Sequence, residues 1–432
     1  LKVKYNYCRP EDFDYMEQLG EGAFGLVVHC QKRSTNKHYA MKIQTKISLL
    51  NMHRADPGRV DYEKQAIVSC HHPFISRLHY AFETDCLAVL VLDYGYGIDM
   101  AEVIVRATNH KIPHHHVKFY IAEIISALAY MHNRGLLYRD LKPGNILLQH
   151  DGHIMLIDFG SVGNIEGDIL DQPDPQQCNL MTRTVSGKLD MKESVDKIDS
   201  YDDFEMDGFN IDMPKRAMTV VGTIAFMAPE IAIMTSQNEF ERVGYSKAVD
   251  FWSLGATIYN MVCGIQPFLS ASTSGKYKTS CSYELVIPDE LSMDKELTSL
   301  ISGLLVVNPL NRLGCGENGV DDIKDHPILS GINWEMLDRK LILPPYIPDL
   351  SHLKVTHTRR DFPQMMKAMG RDDWSSAKPP DSLQKYFNSW KYVSKDIVPL
   401  EQTFTERIKQ QRSRVRQSKS GATTTNVSSA CL

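Results

Sequence analysis

Two short polar runs constrain this chain more than anything else in it. Tyr138-Arg139-Asp140-Leu141-Lys142-Pro143-Gly144-Asn145 is followed, after one short apolar strand and a turn, by Asp158-Phe159-Gly160. Together they set a carboxylate (Asp140), an ammonium (Lys142), an amide (Asn145) and a second carboxylate (Asp158) in fixed order. Either run alone is common; both together, at this separation, are specific. Phosphoryl transfer asks little covalent help of a protein. It needs a carboxylate to orient a hydroxyl, a lysine near the transferring group and oxygen ligands for magnesium, and these four residues are that set.

The rest of the composition narrows the setting. At 432 residues the chain has room for two or three domains, or for one large bilobed one, and its net charge of −5 gives no global reason to expect nucleic acid or an anionic membrane as partner. No apolar run approaches the roughly 18 residues a membrane span needs. Nine cysteines are scattered without a C-x-x-C pair, which predicts reduced thiols in the cytoplasm or nucleus rather than a disulfide frame or zinc site. No secretory signal is visible, and the first residue is Leu1 rather than Met, which leaves any preceding sequence open.

Residues 13–92 read as a small β-rich lobe. Leu26-Val27-Val28, Tyr39 to Ile43 and Leu87 to Leu92 are short strand-like runs bounded by turns. Gly95 and Gly97 are expected to loosen the chain as a hinge. Beyond them the pattern turns helical: Val117, Ile121, Ile124, Leu128 and Met131 recur at spacings of three and four, with Pro113 near the start and Gly135 after the end. Ala248 to Val262 and Leu297 to Leu305 are further apolar helices, and Leu343-Pro344-Pro345-Tyr346-Ile347-Pro348 reads as an extended strap. From about Thr403 onward, Lys, Arg, Ser and Thr dominate, a composition that predicts disorder.

A glycine-rich run opens the chain's chemistry. Gly20-Glu21-Gly22-Ala23-Phe24-Gly25-Leu26-Val27 fits G-x-G-x-x-G-x-V. In a dinucleotide fold such a run opens a helix and an acidic ribose ligand follows. Here it sits between two strands, and Lys42 follows on an apolar strand, in Ala40-Met41-Lys42. A desolvated lysine needs a partner. Asp61 and Glu63 both stand in the next segment, and only Glu63 is at the right distance before His72-Pro73-Phe74-Ile75.

With these motifs in view, the chain resembles the AGC group of serine/threonine protein kinases over roughly residues 13–350. Tyr138 in place of His in the catalytic loop, His72-Pro73-Phe74-Ile75, Asn311-Arg312-Leu313-Gly314 and Asn318 to His326 are typical of that group. The resemblance implies an α+β bilobal protein-kinase fold: a kinase domain over 13–328 with an N-lobe (13–92), hinge (93–97), mostly helical C-lobe (98–328) and activation-segment insert (about 164–215). An AGC-type tail (329–400) and a basic terminal segment (401–432) would follow. It also implies ATP and Mg2+, protein substrates and an upstream activating kinase. Asp140 and Lys142 would be catalytic, and Asn145 and Asp158 would hold the metal. Leu19, Gly20, Glu21, Gly22, Ala23, Phe24, Gly25, Leu26, Val27, Ala40, Lys42 and Glu63 would form the ATP site with Leu92 (the gatekeeper), Asp93, Asp99 and Leu147. Within it, Val27, Ala40 and Leu147 would sandwich the adenine. Thr219, ahead of Ala228-Pro229-Glu230, matches the activation phosphosite, and its phosphate would pair with Arg139. Glu230 would pair with Arg312. The rival reading is a pseudokinase acting as scaffold or allosteric binder. Such proteins usually replace the strand lysine, the loop Asp or the metal-loop Asp, and none is replaced here. A small-molecule kinase would lack the segment from Thr223 to Glu230.

The chain also departs from this family. The segment from about Asn164 to Lys215 is a long insert, rich in acidic residues, Ser and Gly; Arg183-Thr184-Val185-Ser186 within it has the form of a basic-directed phosphosite. Basophilic members carry Glu where Gly144, Asn260 and Ala225 stand, which leaves Asp99 as the acid near substrate and predicts a weak preference for basic substrates. In Phe387-Asn388-Ser389-Trp390-Lys391-Tyr392, close to the group's hydrophobic motif, the aromatic residues could dock in a groove on the small lobe, which the sequence leaves open. Lys391 takes the phosphoacceptor position, so a fixed positive charge replaces a switchable negative one. Three neighbouring histidines, His114 to His116, point about 100° apart on a helix and cannot share one ion. Cys431 is penultimate and does not fit prenylation.

Overall fold

Strand-forming residues in the first hundred positions make five strands of a six-stranded antiparallel sheet, and residues 392–393 add the sixth. Its strands are β1 (Phe13–Gly22), β2 (Gly25–Lys32), β3 (His38–Thr45), β4 (Leu78–Glu83), β5 (Leu87–Asp93) and β13 (Tyr392–Val393), in the order β1-β2-β3-β5-β4-β13. The computed structural model describes residues 8–22, 25–54, 56–164, 225–231, 246–271, 277–279, 283, 285–351 and 358–399. They fall into two units, one drawn from 1–68, 77–94 and 354–432 and the other from 69–76 and 95–353.

In the first unit, one face of the sheet buries Phe13, Tyr15, Leu26, Val28, Met41, Ile43, Tyr80 and Phe82 in a single apolar cluster. A helix from the far end of the chain completes that cluster: α7 (Phe362–Ala368) contributes Phe362, Met365 and Met366. Helices α1 (Lys46–Met52) and α2 (Tyr62–Ser69) lie between β3 and β4 in sequence. The aromatic motif, whose docking the sequence left open, is packed into this unit. Phe387 and Trp390 are buried, the Lys46 ammonium lies 4.8 Å from the centre of the Phe387 ring, and Trp390 Nε1 donates to the Val89 carbonyl at 3.1 Å. Burying a Trp this fully is worth about 3–5 kcal/mol against Ala, so the tail is part of this unit's core. Directly after it the chain adds β13, with Tyr392 paired to Ala81 and Val393 to Tyr80. The sequence pattern did not anticipate that strand.

The second unit is mostly helical. Its elements are α3 (Met100–Arg106), α4 (His114–His132), α5 (Ala248–Cys263) and α6 (Lys295–Leu304). Short strands β6 (Gly97–Asp99), β8 (Ile146–Gln149) and β9 (Ile154–Leu156) form one sheet; β7 (Leu136–Leu137) pairs with β10 (Gly163–Asn164), and β11 (Leu269–Ala271) with β12 (Tyr277–Thr279). Helix α4 is buried over much more than the predicted stripe. Tyr120, Ala122, Ile125 and Ala127 are inside as well, because the helix is packed on several sides. It even buries Glu123, which accepts hydrogen bonds from His153 Nδ1 at 2.5 Å and the Ile154 amide at 2.8 Å. Proline 113 caps the helix at its start, and His114 pairs with Asp294 while His116 stacks on Tyr346.

Neither Gly95 nor Gly97 has a positive φ, and Gly97 lies within β6. A Cβ on Gly95 would sit 2.0 Å from Leu147 Cδ2, and one on Gly97 would sit 2.1 Å from the Leu148 carbonyl oxygen. At both positions close packing requires a residue without a Cβ. The predicted activation insert and the segment beyond Thr403 lie outside the described residues. Among those residues, no helix is long and apolar enough to cross a membrane.

Candidate active site

The catalytic-loop residues are held by a buried acid on a neighbouring helix. Asp250 of α5 is fully buried, and its carboxylate accepts from the Tyr138 amide at 2.9 Å, the Arg139 amide at 2.7 Å and His132 Nε2 at 2.7 Å. Two successive backbone amides on one carboxylate fix the entry to the loop. Arg139 then takes a left-handed φ of 67°, a strained conformation for a side chain of its size. Its guanidinium lies over Gly163, where a Cβ would come within 1.8 Å of Cζ. The fully buried Tyr138 sends its hydroxyl to the Ile157 carbonyl and packs edge-on against Phe159, so the two motifs are tied together from inside.

Past this anchor, Lys142, Asn145 and Asp140 converge. Lys142 Nζ donates to both Asp140 oxygens, at 3.0 and 2.8 Å. Asn145 Nδ2 donates to the Asp140 carbonyl at 2.7 Å and to its Oδ2 at 2.8 Å. Burial raises the Asp140 pKa, with Lys142 and Asn145 acting the other way and the nearby Asp158 adding to the rise. Asp158 also has a left-handed backbone, with a φ of 58°, and its Oδ1 accepts from the Gly160 amide at 3.3 Å. Because Asn145 spends its nitrogen on Asp140, its remaining polar atom is an oxygen. Asn145 and Asp158 are therefore an all-oxygen donor pair, which suits a hard cation such as Mg2+ that takes its other ligands from phosphates and water. No group of three or more His, Cys, Asp or Glu among the described residues could hold a metal by itself.

In the first unit, Lys42 sits on β3, in register with Val27 of β2 and Leu90 of β5, and is almost wholly buried. Its ammonium donates to Glu63 Oε1 of α2 at 2.6 Å. Asp61, the competing acid, instead accepts from Lys64, Gln65 and Ser389. The glycine run is a hairpin turn, with Gly20 opposite Val27, Glu21 opposite Leu26 and Gly22 opposite Gly25. Gly25 has a φ of 136° and lies so close to β3 that a Cβ would meet the Ile43 carbonyl oxygen at 2.3 Å. Leu19, Glu21 and Gly22 are exposed, while Gly20, Val27 and Ala40 are half-buried. Leu26 alternates away from Val27 into the apolar cluster, so only its backbone belongs to the turn's open side. Ala23 and Phe24 lie outside the described residues.

The remaining predicted residues have defined places. Leu92 pairs with Ala40 across the β3–β5 ladder. Asp93 accepts from His79 Nε2 at 2.6 Å and from the Arg77 amide at 3.1 Å; burial alone would raise its pKa, but these bonds hold it below the ordinary value. Leu147 pairs with Asp99 across β6 and β8. Asp99 also caps α3, accepting from the Glu102 amide at 2.8 Å, and burial raises its pKa. Gly144 faces open space, Asn260 is half-buried and Ala225 is buried. Arg312 donates to Glu230 through Nη1 at 2.7 Å and Nη2 at 3.0 Å, the bidentate pair the sequence suggested. Thr219 lies outside the described residues. Sequence reasoning missed Asp250; an acid inside an otherwise apolar helix was the available clue.

Comparison with known families identifies the chain's class. Residues 13–178 and 203–329 match the protein kinase domain family, to which the chain belongs, and its relatives place it in the AGC group. It is 34% identical over 343 residues to ribosomal protein S6 kinase alpha-6 of Danio rerio, covering 78% of this chain and 38% of that protein. Ribosomal protein S6 kinase alpha-2 of Homo sapiens is 30% identical over 401 residues, 92% of this chain and 46% of that one. Protein kinase 3 of Dictyostelium discoideum is 32% identical over 348 residues, 81% of this chain and 33% of that one. The chain thus spans about a third to a half of the length of these curated relatives.

Proposed function

We propose that this chain is an active serine/threonine protein kinase, transferring the γ-phosphoryl group of ATP to protein hydroxyls in intracellular signalling. The convergence of Lys142 and Asn145 on Asp140 is the observation that carries the reading. In this scheme Asp140 accepts a hydrogen bond from the serine or threonine hydroxyl, aims its oxygen and takes its proton as the bond to the γ-phosphorus forms and the bond from that phosphorus to the bridging oxygen breaks, with ADP leaving. Lys142 offsets negative charge on the phosphoryl oxygens and opposes the rise that burial causes in the Asp140 pKa. Lys42, steadied by Glu63, binds nucleotide phosphates, and the glycine turn offers them backbone amides. Asn145 and Asp158 are the residues that would hold Mg2+, which neutralises phosphate charge when bound. Val27, Ala40, Leu92, Asp93 and Leu147 are assigned to the adenine on the family pattern, and Asp99 to the ribose or substrate.

The domain limits proposed from the sequence, a kinase domain over 13–328 followed by a tail over 329–400, go with this scheme, as do an upstream activating kinase acting on Thr219 and a cytoplasmic or nuclear setting. No observation favours the pseudokinase reading, since Lys42, Asp140 and Asp158 are all retained. Asp140→Asn tests the proposal. Phosphate transfer to a peptide library should fall to background while Mg-ATP affinity stays near that of the parent. Undiminished transfer by the variant would refute the catalytic assignment.

A further inference from the structure

Along β2 and β3, side chains alternate between the apolar cluster and the opposite face of the sheet. Leu26, Val28, Met41 and Ile43 go to the cluster. Val27, His29 and Gln31 of β2, in register with Lys42, Ala40 and His38 of β3, share the other face. Two histidines thus continue the row that begins with Val27, Ala40 and Lys42, the residues assigned to nucleotide. A bulge in β1 sets Met16 and Glu17 against the single residue His29, which brings a carboxylate to the same place.

These side chains form a relay. His29 Nδ1 lies 2.7 Å from Glu17 Oε1, His29 Nε2 lies 2.7 Å from His38 Nδ1, and His38 Nε2 lies 3.2 Å from Gln31 Nε2. The two ends of the relay fix every proton in it. Gln31 Nε2 also donates to the Asn36 carbonyl at 2.9 Å, so an amide nitrogen, which only donates, faces His38 and makes Nε2 of that ring an acceptor. A carboxylate only accepts, so His29 Nδ1 carries a proton towards Glu17. The middle link then has one solution with both rings neutral: His38 Nδ1 donates to His29 Nε2. A further proton on either imidazole would set two donors face to face. His29 is buried and His38 half-buried. Burial lowers the His38 pKa, His29 and Arg359 add to the lowering, and Glu17 opposes it.

The relay ends on the segment assigned to the adenine. The His29 ring lies flat on that of Tyr94, with centroids 3.9 Å apart and planes inclined by 6°, and Tyr94 directly follows Asp93. We infer that His29 is a positioning residue for this segment: held in one tautomer by Glu17 and His38, its ring face fixes Tyr94 and, through it, the backbone at Asp93. This rests on the assignment of Asp93 to the adenine. The hold is proton-sensitive, because a proton entering at half-buried His38 breaks a link and releases the His29 ring. A stacked ring pair is worth about two- to tenfold in an equilibrium constant, and its loss should weaken Mg-ATP binding by that factor.

The test uses the full chain and three variants, His29→Leu, His29→Phe and His38→Gln. Amide hydrogen exchange over residues 92–94, measured without nucleotide, reads the hold on Tyr94. Calorimetry with Mg-ATP reads its consequence, at about pH 7.5 and about pH 5.5, on either side of the histidine range. At the higher pH His29→Leu should speed exchange and weaken binding by the stated factor, and His29→Phe, which keeps a flat ring, should restore most of both. The amide of His38→Gln still donates to His29 Nε2 but takes up no proton. That variant should bind Mg-ATP like the parent at the higher pH and lose less affinity than the parent at the lower one, the titration of ATP itself being common to both. Should His29→Leu fail to fold, the comparison at half-buried His38 decides alone. Unchanged exchange in His29→Leu, or the same pH response in His38→Gln and the parent, would overturn the positioning role. Faster exchange with unaltered Mg-ATP affinity would instead overturn the assignment of Asp93 to the adenine, and the role with it.

Discussion

Asp250 links the fold to the proposed chemistry most directly, and Asp250→Asn isolates that link. The substitution keeps the side chain's volume and one acceptor oxygen but replaces the other oxygen with a donor and removes the charge. Both oxygens are in use: Oδ1 accepts from the Arg139 amide, and Oδ2 accepts from the Tyr138 amide and His132. Whichever way the amide turns, one backbone donor faces another donor in a fully buried site. A hydrogen bond to a charged acceptor contributes about 1.5–3 kcal/mol and a stranded buried donor costs about 1–3 kcal/mol, so the variant should lose about 3–5 kcal/mol of stability. That is survivable for a domain stable by about 5–15 kcal/mol. The effect on turnover should be larger than a uniform loosening would give, because Asp140 is the residue after Arg139. A displacement of about 1 Å at a reacting group costs on the order of a hundredfold in rate. Urea denaturation, steady-state kinetics and ATP calorimetry on the same preparation would separate these effects: stability down, kcat down about a hundredfold, ATP affinity nearly unchanged. A folded Asp250→Asn protein with parental kcat would show that the acid supports the fold without positioning the loop.

Two further outcomes are expected. His72, buried between Phe74 and Tyr130, has its pKa lowered from 6.5 to about 4, first by desolvation and with Asp338 opposing. Since the unfolded chain binds the proton more tightly, this histidine's contribution to stability is complete above pH 6.5 and is lost as the pH falls towards 4, about 3 kcal/mol in all; His72→Phe should flatten the denaturation profile across that window, and an unaltered profile would reject the assignment. In substrate choice, arginines upstream of the target hydroxyl should bring little benefit, while Gly144→Glu with Asn260→Glu should create a preference of roughly ten- to a hundredfold, since the Gly144 position is open. A peptide array in which the parent protein already demands arginine at two upstream positions would contradict this.

Much of the fold was legible in the sequence because the relevant forces are local. The glycine turn between strands, the lysine strand and the two helices around Val117 and Ala248 follow from periodicity or from motifs whose chemistry dictates geometry, while the Arg312–Glu230 pair was implied by the family resemblance. Long-range pairing was not legible in the same way. Nothing in Tyr392-Val393 alone says that it adds to β4, some three hundred residues earlier in sequence, because two residues carry no measurable alternation. The helix at Phe362 had clear end signals in Asp361, Pro363, Gln364 and Gly370, yet where it docks depends on the apolar face of β1, β2 and β3, which periodicity describes without naming its occupant. At Gly95 and Gly97, residue type alone did not disclose that contact with Leu147 and Leu148 requires the missing Cβ.

The site divides along the same line. Residues assigned to the proposed reaction are recognisable by type and order, so Asp140, Lys142, Asn145 and Asp158 could be named from spacing. The residues that make those four useful are distant in sequence and individually ordinary. Asp250 is one acid in an apolar helix, and it bears on the loop through the backbone amides of Tyr138 and Arg139. Their positions become visible only when the chain is folded, because a supporting role is a matter of distance and leaves no motif. The tail places this division within one unit: Trp390 fills the core beside β5 while Ser389 accepts from Lys64 through its carbonyl and donates its hydroxyl to Asp61. Lys64 directly follows Glu63, the partner of Lys42, so the same short helix carries the ion pair assigned to nucleotide phosphates and the polar contacts that seat the tail. A substitution that frees the tail should therefore be felt at Lys42 without touching it, through the helix that both share.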